Sequence, residues 1–216
     1  MSRVRSMAMM RVRPILVAPS KQQGTSLIEL MVASVIGVFA ISIIGSVFIT
    51  GQRIATDKGI ELLLLQNLTS TLQVMKEDIQ RAGYDGSNGY SIKLSGASNT
   101  IQVSGGVAVG FVYFREGSDS DKDHRHIVYR KNGTRLQICE KGMLVSDDLL
   151  SFNEVTSCYS LFDDNLIDVD EFNINYQALE QNSIKTTLTD ISITASIPTA
   201  GVSKSLSVSV KQRNWQ

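Results

Sequence analysis

A single carboxylate interrupts a long uncharged stretch near the N-terminus of this 216-residue chain. From Thr25 to Gln52 the only charged side chain is Glu29, the fifth residue after Gly24. The residues before Gly24 carry no acidic side chain but five basic ones, namely Arg3, Arg5, Arg11, Arg13 and Lys21. A charged side chain in a membrane-spanning segment costs roughly 2.5–3.5 kcal/mol on insertion scales, so we expect Glu29 to have a partner or a specific function.

The run Lys21-Gln-Gln-Gly24-Thr25-Ser-Leu-Ile-Glu29-Leu30 resembles the type IV prepilin signal, which has a basic leader, a Gly and a helix with Glu at its fifth position. The resemblance implies that an inner-membrane prepilin peptidase cuts after Gly24 and N-methylates Thr25. It also implies that Glu29 docks the subunit by meeting the terminal amine of a neighbour in the fibre. Thr25 departs from the family pattern, in which the first mature residue is usually Phe.

The chain has two cysteines, Cys139 and Cys158. In an oxidising compartment such a pair predicts one disulfide, closing a loop of about 20 residues and worth about 3 kcal/mol in the chain-entropy model. The alternative is two free buried thiols. The spacing excludes a CxxC motif and a zinc site made of four cysteines.

Three aspartates, Asp119, Asp121 and Asp123, alternate along the chain and are followed by His124 and His126. Alternating carboxylates in a loop can converge on Ca²⁺, but an EF-hand loop needs Gly at position 6 and Glu at position 12. Counted from Asp119, those positions hold His124 and Arg130. We therefore interpret the segment as a solvated acidic loop and expect no cofactor, with a Ca²⁺ site on the three aspartates as the alternative.

No nucleophile or nucleotide-binding motif is present: the sequence has no G-x-S-x-G, H-E-x-x-H or P-loop pattern. Alternate serines near the C-terminus fit the solvated face of a strand, and the paired acids Asp147-Asp148 and Asp163-Asp164 fit turns. We predict that the protein is not an enzyme and assign no catalytic residue.

The elements that position these residues begin with a helix. The 28 residues from Thr25 to Gln52, at about 1.5 Å each, can cross a hydrocarbon core of roughly 30 Å. Beyond Arg53 an apolar stripe recurs at spacings of three and four residues, comprising Leu65, Leu68, Leu72, Met75, Ile79 and Ala82. Glu77 and Asp78 are expected to pair with Arg81 on the solvated side. The pattern predicts one long helix from near Thr25 to Ala82, ended by Gly83.

From Tyr90 onward the apolar period changes to two, which indicates strands. We predict strands over Thr100–Val103, Val107–Phe114, His126–Arg130, Arg135–Glu140 and Glu171–Leu179, and a terminal hairpin across Pro198–Lys204. Lys131-Asn-Gly-Thr134 is a hairpin turn signal. The predicted fold is α+β: a long N-terminal helix, transmembrane in its first half and amphipathic in its second, packs on an antiparallel β-sheet head. The resemblance to the prepilin signal implies that this fold is pilin-like.

Two further segments carry a family resemblance. Residues 74–86, VMKEDIQRAGYDG, are similar to the helix end of PilW-type minor pilins, and residues 210–214, VKQRN, are similar to their last strand. The resemblance implies a low-abundance subunit that helps to initiate and cap a pilus together with other minor and major pilins. It implies no catalytic residue.

The charge distribution indicates where the parts of the chain reside. Without the five basic residues of the leader, the chain has 16 basic and 21 acidic residues, which gives a net charge of about −5. A basic leader predicts a cytoplasmic N-terminus, and an acidic head argues against nucleic acid as a ligand. We predict a leader at 1–24, a transmembrane and fibre-core helix at 25–52, an amphipathic helix at 53–86 and a β-rich head at 87–216.

The sequence thus predicts a minor type IV pilin that is made in the inner membrane with its head in the periplasm and then incorporated into the pilus at the cell surface. Its expected partners are the prepilin peptidase, other pilins, the inner-membrane assembly platform and membrane lipid. Two alternatives remain: a type II secretion pseudopilin, and an uncleaved membrane-anchored periplasmic binding domain.

Overall fold

The computed structural model describes residues 26–86, 89–181 and 184–212. In these residues one helix, α1 (Leu27–Arg81), precedes eight strands: β1 (Ile101–Ser104), β2 (Ala108–Phe114), β3 (His124–Asn132), β4 (Arg135–Met143), β5 (Cys158–Ser160), β6 (Asp168–Gln181), β7 (Ile184–Ile197) and β8 (Val202–Lys211). The chain divides into two compact units, Met1–Gly51 and Gln52–Gln216, and α1 contributes to both. The architecture is α+β, as the sequence predicts.

The helix α1 is continuous, with Gly51 and Gly59 inside it. It ends at Arg81 because Gly83 adopts a left-handed backbone, with φ of 86°, that a residue with a side chain rarely takes. The neighbouring Thr100 also demands Gly there, since a Cβ on Gly83 would lie 2.8 Å from the Thr100 methyl carbon. The predicted stop at Gly83 is confirmed.

The strands form two antiparallel sheets rather than the single sheet expected from the sequence. One sheet has the order β1-β2-β3-β4-β5 and the other has the order β6-β7-β8. The predicted hairpin turn is present between β3 and β4, where Asn132 pairs with Arg135 across Gly133. Strand β5 was not predicted, since three residues are too few to show a period of two.

The core of the second unit forms where the C-terminal half of α1 meets the inner faces of both sheets. The buried apolar residues of α1 are Leu64, Leu68, Leu72, Met75 and Ile79, joined by Ala82 just beyond it. Each sheet contributes fully buried side chains, such as Phe111 and Tyr129 from the first and Phe172 and Ile193 from the second. The predicted stripe is therefore core, except that it begins at Leu64, because Leu65 is only half-buried.

The terminal hairpin of β7 and β8 shows the predicted alternation. Along β8 the residues Ser203, Ser205, Ser207 and Ser209 are exposed, and the apolar residues between them turn towards the core. These serines are the solvated face of a strand.

Candidate assembly site

The apolar segment at the start of α1 is exposed along its whole length. Its large apolar side chains from Leu27 to Ile49 each expose 54–76% of their surface. Among the described residues, α1 is the one helix long and apolar enough to cross a membrane. An apolar surface of this extent needs lipid or other apolar helices around it, because water solvates it poorly.

Glu29 lies in the first turn of α1 and caps it. Its carboxylate accepts a hydrogen bond of 3.2 Å from the backbone N–H of Ser26, which otherwise has no partner within the helix. A negative charge is favourable at this end of a helix because the unpaired N–H groups give it a partial positive charge. Glu29 remains exposed, and no cationic side chain pairs with it in the described part of the chain. Gly24 and Thr25 lie outside the described residues.

A cluster of charges joins the middle of α1 to the second sheet. Glu61 accepts a hydrogen bond of 2.7 Å from Lys58 on its own helix and forms an ion pair with Lys204 of β8. The hydrogen bonds from Lys204 and Lys58 lower the pKa of Glu61 to about 2. Glu61 therefore stays ionised at neutral pH and links α1 to β8.

The prediction that Asp78 lies on the solvated side of α1 is wrong, because Asp78 is buried. Its carboxylate accepts hydrogen bonds from the hydroxyls of Tyr129, at 2.6 Å, and Tyr113, at 3.2 Å. Arg81 still lies 3.5 Å away, as its spacing suggested. Burial raises the pKa of Asp78 above its usual value. Asp78 lies three residues after Met75 and four before Ala82, so its spacing matches that of the buried stripe. Its charge favoured the solvated side, and the spacing was therefore not used to predict its burial.

The C-terminal end of α1 is held by Gln212, whose role the sequence did not predict. The side chain is buried, and its amide nitrogen donates to the carbonyl of Ala82 at 2.8 Å and to the hydroxyl of Thr100 at 2.7 Å. Its amide oxygen accepts from the hydroxyl of Thr187 at 2.7 Å. One side chain thus links the helix end, the segment before β1 and strand β7. In the sequence, the feature that pointed to this segment was the similarity of residues 210–214 to a pilin strand.

Cys139 and Cys158 form a disulfide, as the sequence predicts. The two residues lie directly opposite each other on β4 and β5. The bond lies on the face of the first sheet that points away from α1, where Val128 and Val155 form a small second core. It fixes the segment between β4 and β5 to the sheet.

Within the described residues, no three His, Cys, Asp or Glu side chains come together in a group that could hold a metal ion. His126 is fully buried, accepts from the Leu150 N–H at 3.1 Å and lies 3.3 Å from the Lys141 carbonyl. Burial lowers its pKa, so it is a neutral structural residue. Asp123 accepts from the Ser118 N–H within its own loop. The side chain of Asp119 lies outside the described part of the chain, so the Ca²⁺ alternative stays a prediction.

The comparisons with known proteins concern the head and the fold. The model of the family "Prepilin peptidase-dependent protein B" matches residues 59–212. No curated protein matches the sequence. Among solved structures, the chain is similar to the type IV-like pilin TTHA1219 from Thermus thermophilus, with 12% identity and a TM-score of 0.44 over 69% of this chain and 96% of that one.

Proposed function

Because the chain belongs to the prepilin peptidase-dependent protein B family of type IV pilin-like proteins, we propose that it is a minor type IV pilin that takes part in pilus assembly and initiation. The observation that carries the proposal is the agreement of two separate parts of the chain. The family match begins at residue 59, whereas the prepilin signal lies at residues 21–30. Neither feature depends on the other.

In this proposal the prepilin peptidase cuts after Gly24 and methylates the new N-terminus at Thr25. Removal of residues 1–24 takes away the five basic residues that favour a cytoplasmic N-terminus. The cut places a positive terminal amine four residues from Glu29, and every subunit processed in this way carries the same two charges. The amine of one subunit can then meet the carboxylate of the next.

The exposed state of Glu29 supports its proposed role in assembly. Its hydrogen bond to Ser26 holds the carboxylate at the start of α1, and no described cation neutralises it. In lipid such a charge costs roughly 2.5–3.5 kcal/mol, and a neighbour's amine recovers part of that cost. Packing between apolar helices supplies affinity, and the ion pair supplies register along the fibre.

The head fits a periplasmic and then extracellular location. A disulfide persists in an oxidising compartment, and Cys139–Cys158 lies in the head. The contacts of Glu61 with Lys204 and of Gln212 with Ala82 join the second sheet to the C-terminal half of α1 and its end. The proposed partners are the prepilin peptidase, other minor and major pilins, the assembly platform and lipid.

The test is the N-terminal mass of the protein expressed with and without a prepilin peptidase. A peptide that starts at Thr25, methylated or not, only when the peptidase is present is the expected result. An intact leader in both cases would contradict the proposal and indicate an uncleaved membrane-anchored domain. A deletion strain that keeps its pili and loses protein secretion would instead assign the subunit to a type II secretion pseudopilus.

A further inference from the structure

A groove of about 710 Å³ lies beside the C-terminal end of α1. Its volume falls within the range of roughly 300–1,000 Å³ that is common for ligand sites. One wall is the last turn of α1 together with Tyr84, and the other is the end of β2 with Arg115 after it. None of the roles assigned above uses this groove.

Two guanidinium groups line the groove. That of Arg81 lies 3.5 Å from Asp78 and 3.9 Å from Glu77. Both distances exceed the roughly 2.7–2.9 Å of a strong charge-assisted hydrogen bond, so these carboxylates hold Arg81 only loosely. Arg115 is exposed and forms no ion pair with an acidic side chain in the described part of the chain. Both cations can therefore receive a carboxylate from outside.

Three aromatic rings also line the groove, together with Glu77 and Gln80. Tyr84 and Phe114 meet edge to face, with ring centroids 6.4 Å apart. Their backbones are joined, because the N–H of Phe114 donates to the carbonyl of Tyr84 at 2.7 Å. Tyr113, which also lines the groove, is fixed by its hydrogen bond to Asp78. The aromatic surface is thus rigid before any ligand arrives, which lowers the entropy cost of binding.

We propose that this groove binds an acidic peptide segment of another protein subunit. A carboxylate of that segment contacts Arg81 and Arg115, and a neighbouring apolar side chain packs on Tyr84 and Phe114. A planar guanidinium matches a carboxylate in shape as well as in charge. Glu77 also lines the groove, and its negative charge disfavours a peptide that carries a second acidic side chain beside the first.

Charge favours a peptide over a nucleic acid as the occupant. The chain without its leader has a net charge of about −5, so it repels a long polyanion as a whole. A short acidic peptide instead brings a single carboxylate, which a local pair of arginines can bind. That the natural occupant belongs to a neighbouring pilin rests on the proposed function, whereas the binding chemistry of the groove does not.

The test uses two dipeptides that differ in one group, Ac-Asp-Phe-NH₂ and Ac-Asn-Phe-NH₂. Each is titrated into the full chain in detergent micelles, and binding is followed by NMR shifts of the groove residues. We expect the acidic peptide to bind more tightly than the neutral one and to lose that advantage as salt is raised, because ion pairs at an open groove are screened. Equal affinity for the two peptides would overturn the proposal.

Two substitutions, each of which removes one charge from the groove, should have opposite effects on binding of the acidic peptide. Arg115→Gln should weaken binding of the acidic peptide by about fivefold, the upper end for an exposed ion pair, and leave the neutral peptide unchanged. Glu77→Gln should strengthen binding of the acidic peptide by removing a repulsive charge. Equal changes for both peptides in Arg115→Gln would mean a general loss of groove structure and would also overturn the proposal. Because binding is measured on the uncleaved chain, its failure is separate from a failure of processing at Gly24.

Discussion

Replacing Gln212 with Ala should lower the free energy of unfolding of the head by about 3 kcal/mol. The side chain is buried and has three partners, the Ala82 carbonyl and the hydroxyls of Thr100 and Thr187. Each hydrogen bond between neutral groups contributes about 1 kcal/mol net, and Ala82, whose carbonyl loses its partner, is fully buried. Three such bonds give the stated magnitude.

The assay is urea unfolding of the full chain in detergent micelles, followed by near-UV circular dichroism of the aromatic core. Gln66→Ala is the matched control, because Gln66 is an exposed glutamine on α1 with no hydrogen bond from its side chain in the described part of the chain. Ala favours helix slightly more than Gln does, so the control should change the unfolding free energy by less than about 0.5 kcal/mol.

A local measurement separates loss of the Gln212 contacts from a general weakening. The backbone N–H of Gly83 donates to the Val112 carbonyl at 2.9 Å, directly after the carbonyl that Gln212 binds. In Gln212→Ala this amide should exchange with solvent faster than amides in β3, because the helix end is released first. A change in unfolding free energy no larger than that of Gln66→Ala would refute the assignment of Gln212 as the link between the helix end and the sheets.

Four other perturbations have defined outcomes. Burial raises the pKa of Asp78 above the usual 3.8. The free energy of unfolding of the wild type should therefore fall relative to that of Asp78→Asn as pH rises from 3.8 through the folded-state pKa. Parallel curves of unfolding free energy against pH for the two proteins would contradict this. Replacing Cys139 and Cys158 together with Ser should cost about 3 kcal/mol in urea unfolding, and no loss would show that the bond does not stabilise the head. Gly24→Ala should leave uncut precursor on an immunoblot, whereas normal processing would remove the prepilin assignment. Glu29→Ala should be cut normally but be depleted from sheared pili, and wild-type content in the fibre would remove its proposed role.

Much of the fold follows from local patterns in the sequence. The run after Gly24, in which Glu29 is the only charged residue up to Gln52, predicts a helix by its length. The stripe from Leu68 to Ala82 predicts one by its spacing, because the period of 3.6 residues is set by the backbone alone. Gly83 marks its end for an equally local reason, a backbone angle that favours Gly. The alternation along β8 likewise identifies which residues face water.

The disulfide follows from the sequence by a different route. With only Cys139 and Cys158 present, one pairing within the chain exists, and an oxidising compartment favours it. The proposed processing site at Gly24 rests on the sequence alone too, because it lies outside the described residues. Neither inference needed the arrangement of the strands.

The partition of the strands into two sheets was decided by the tertiary structure. A period of two tells which face of a strand is buried, but it does not tell which strands pair, since pairing joins residues far apart in the chain. Here buried residues of β2 and β3 in one sheet and of β6 and β7 in the other join the apolar stripe of α1 in a single core.

The burial of the polar side chains of Asp78 and Gln212 could not be predicted from the sequence either. Asp78 looked like a surface acid because burial of a carboxylate is unfavourable without partners, and its partners Tyr113 and Tyr129 lie 35 and 51 residues away. Gln212 lies 130 residues from Ala82, whose carbonyl it binds. Local patterns determined the helix and most of the strands, whereas contacts between distant residues determined how the two sheets pack on the C-terminal half of the helix.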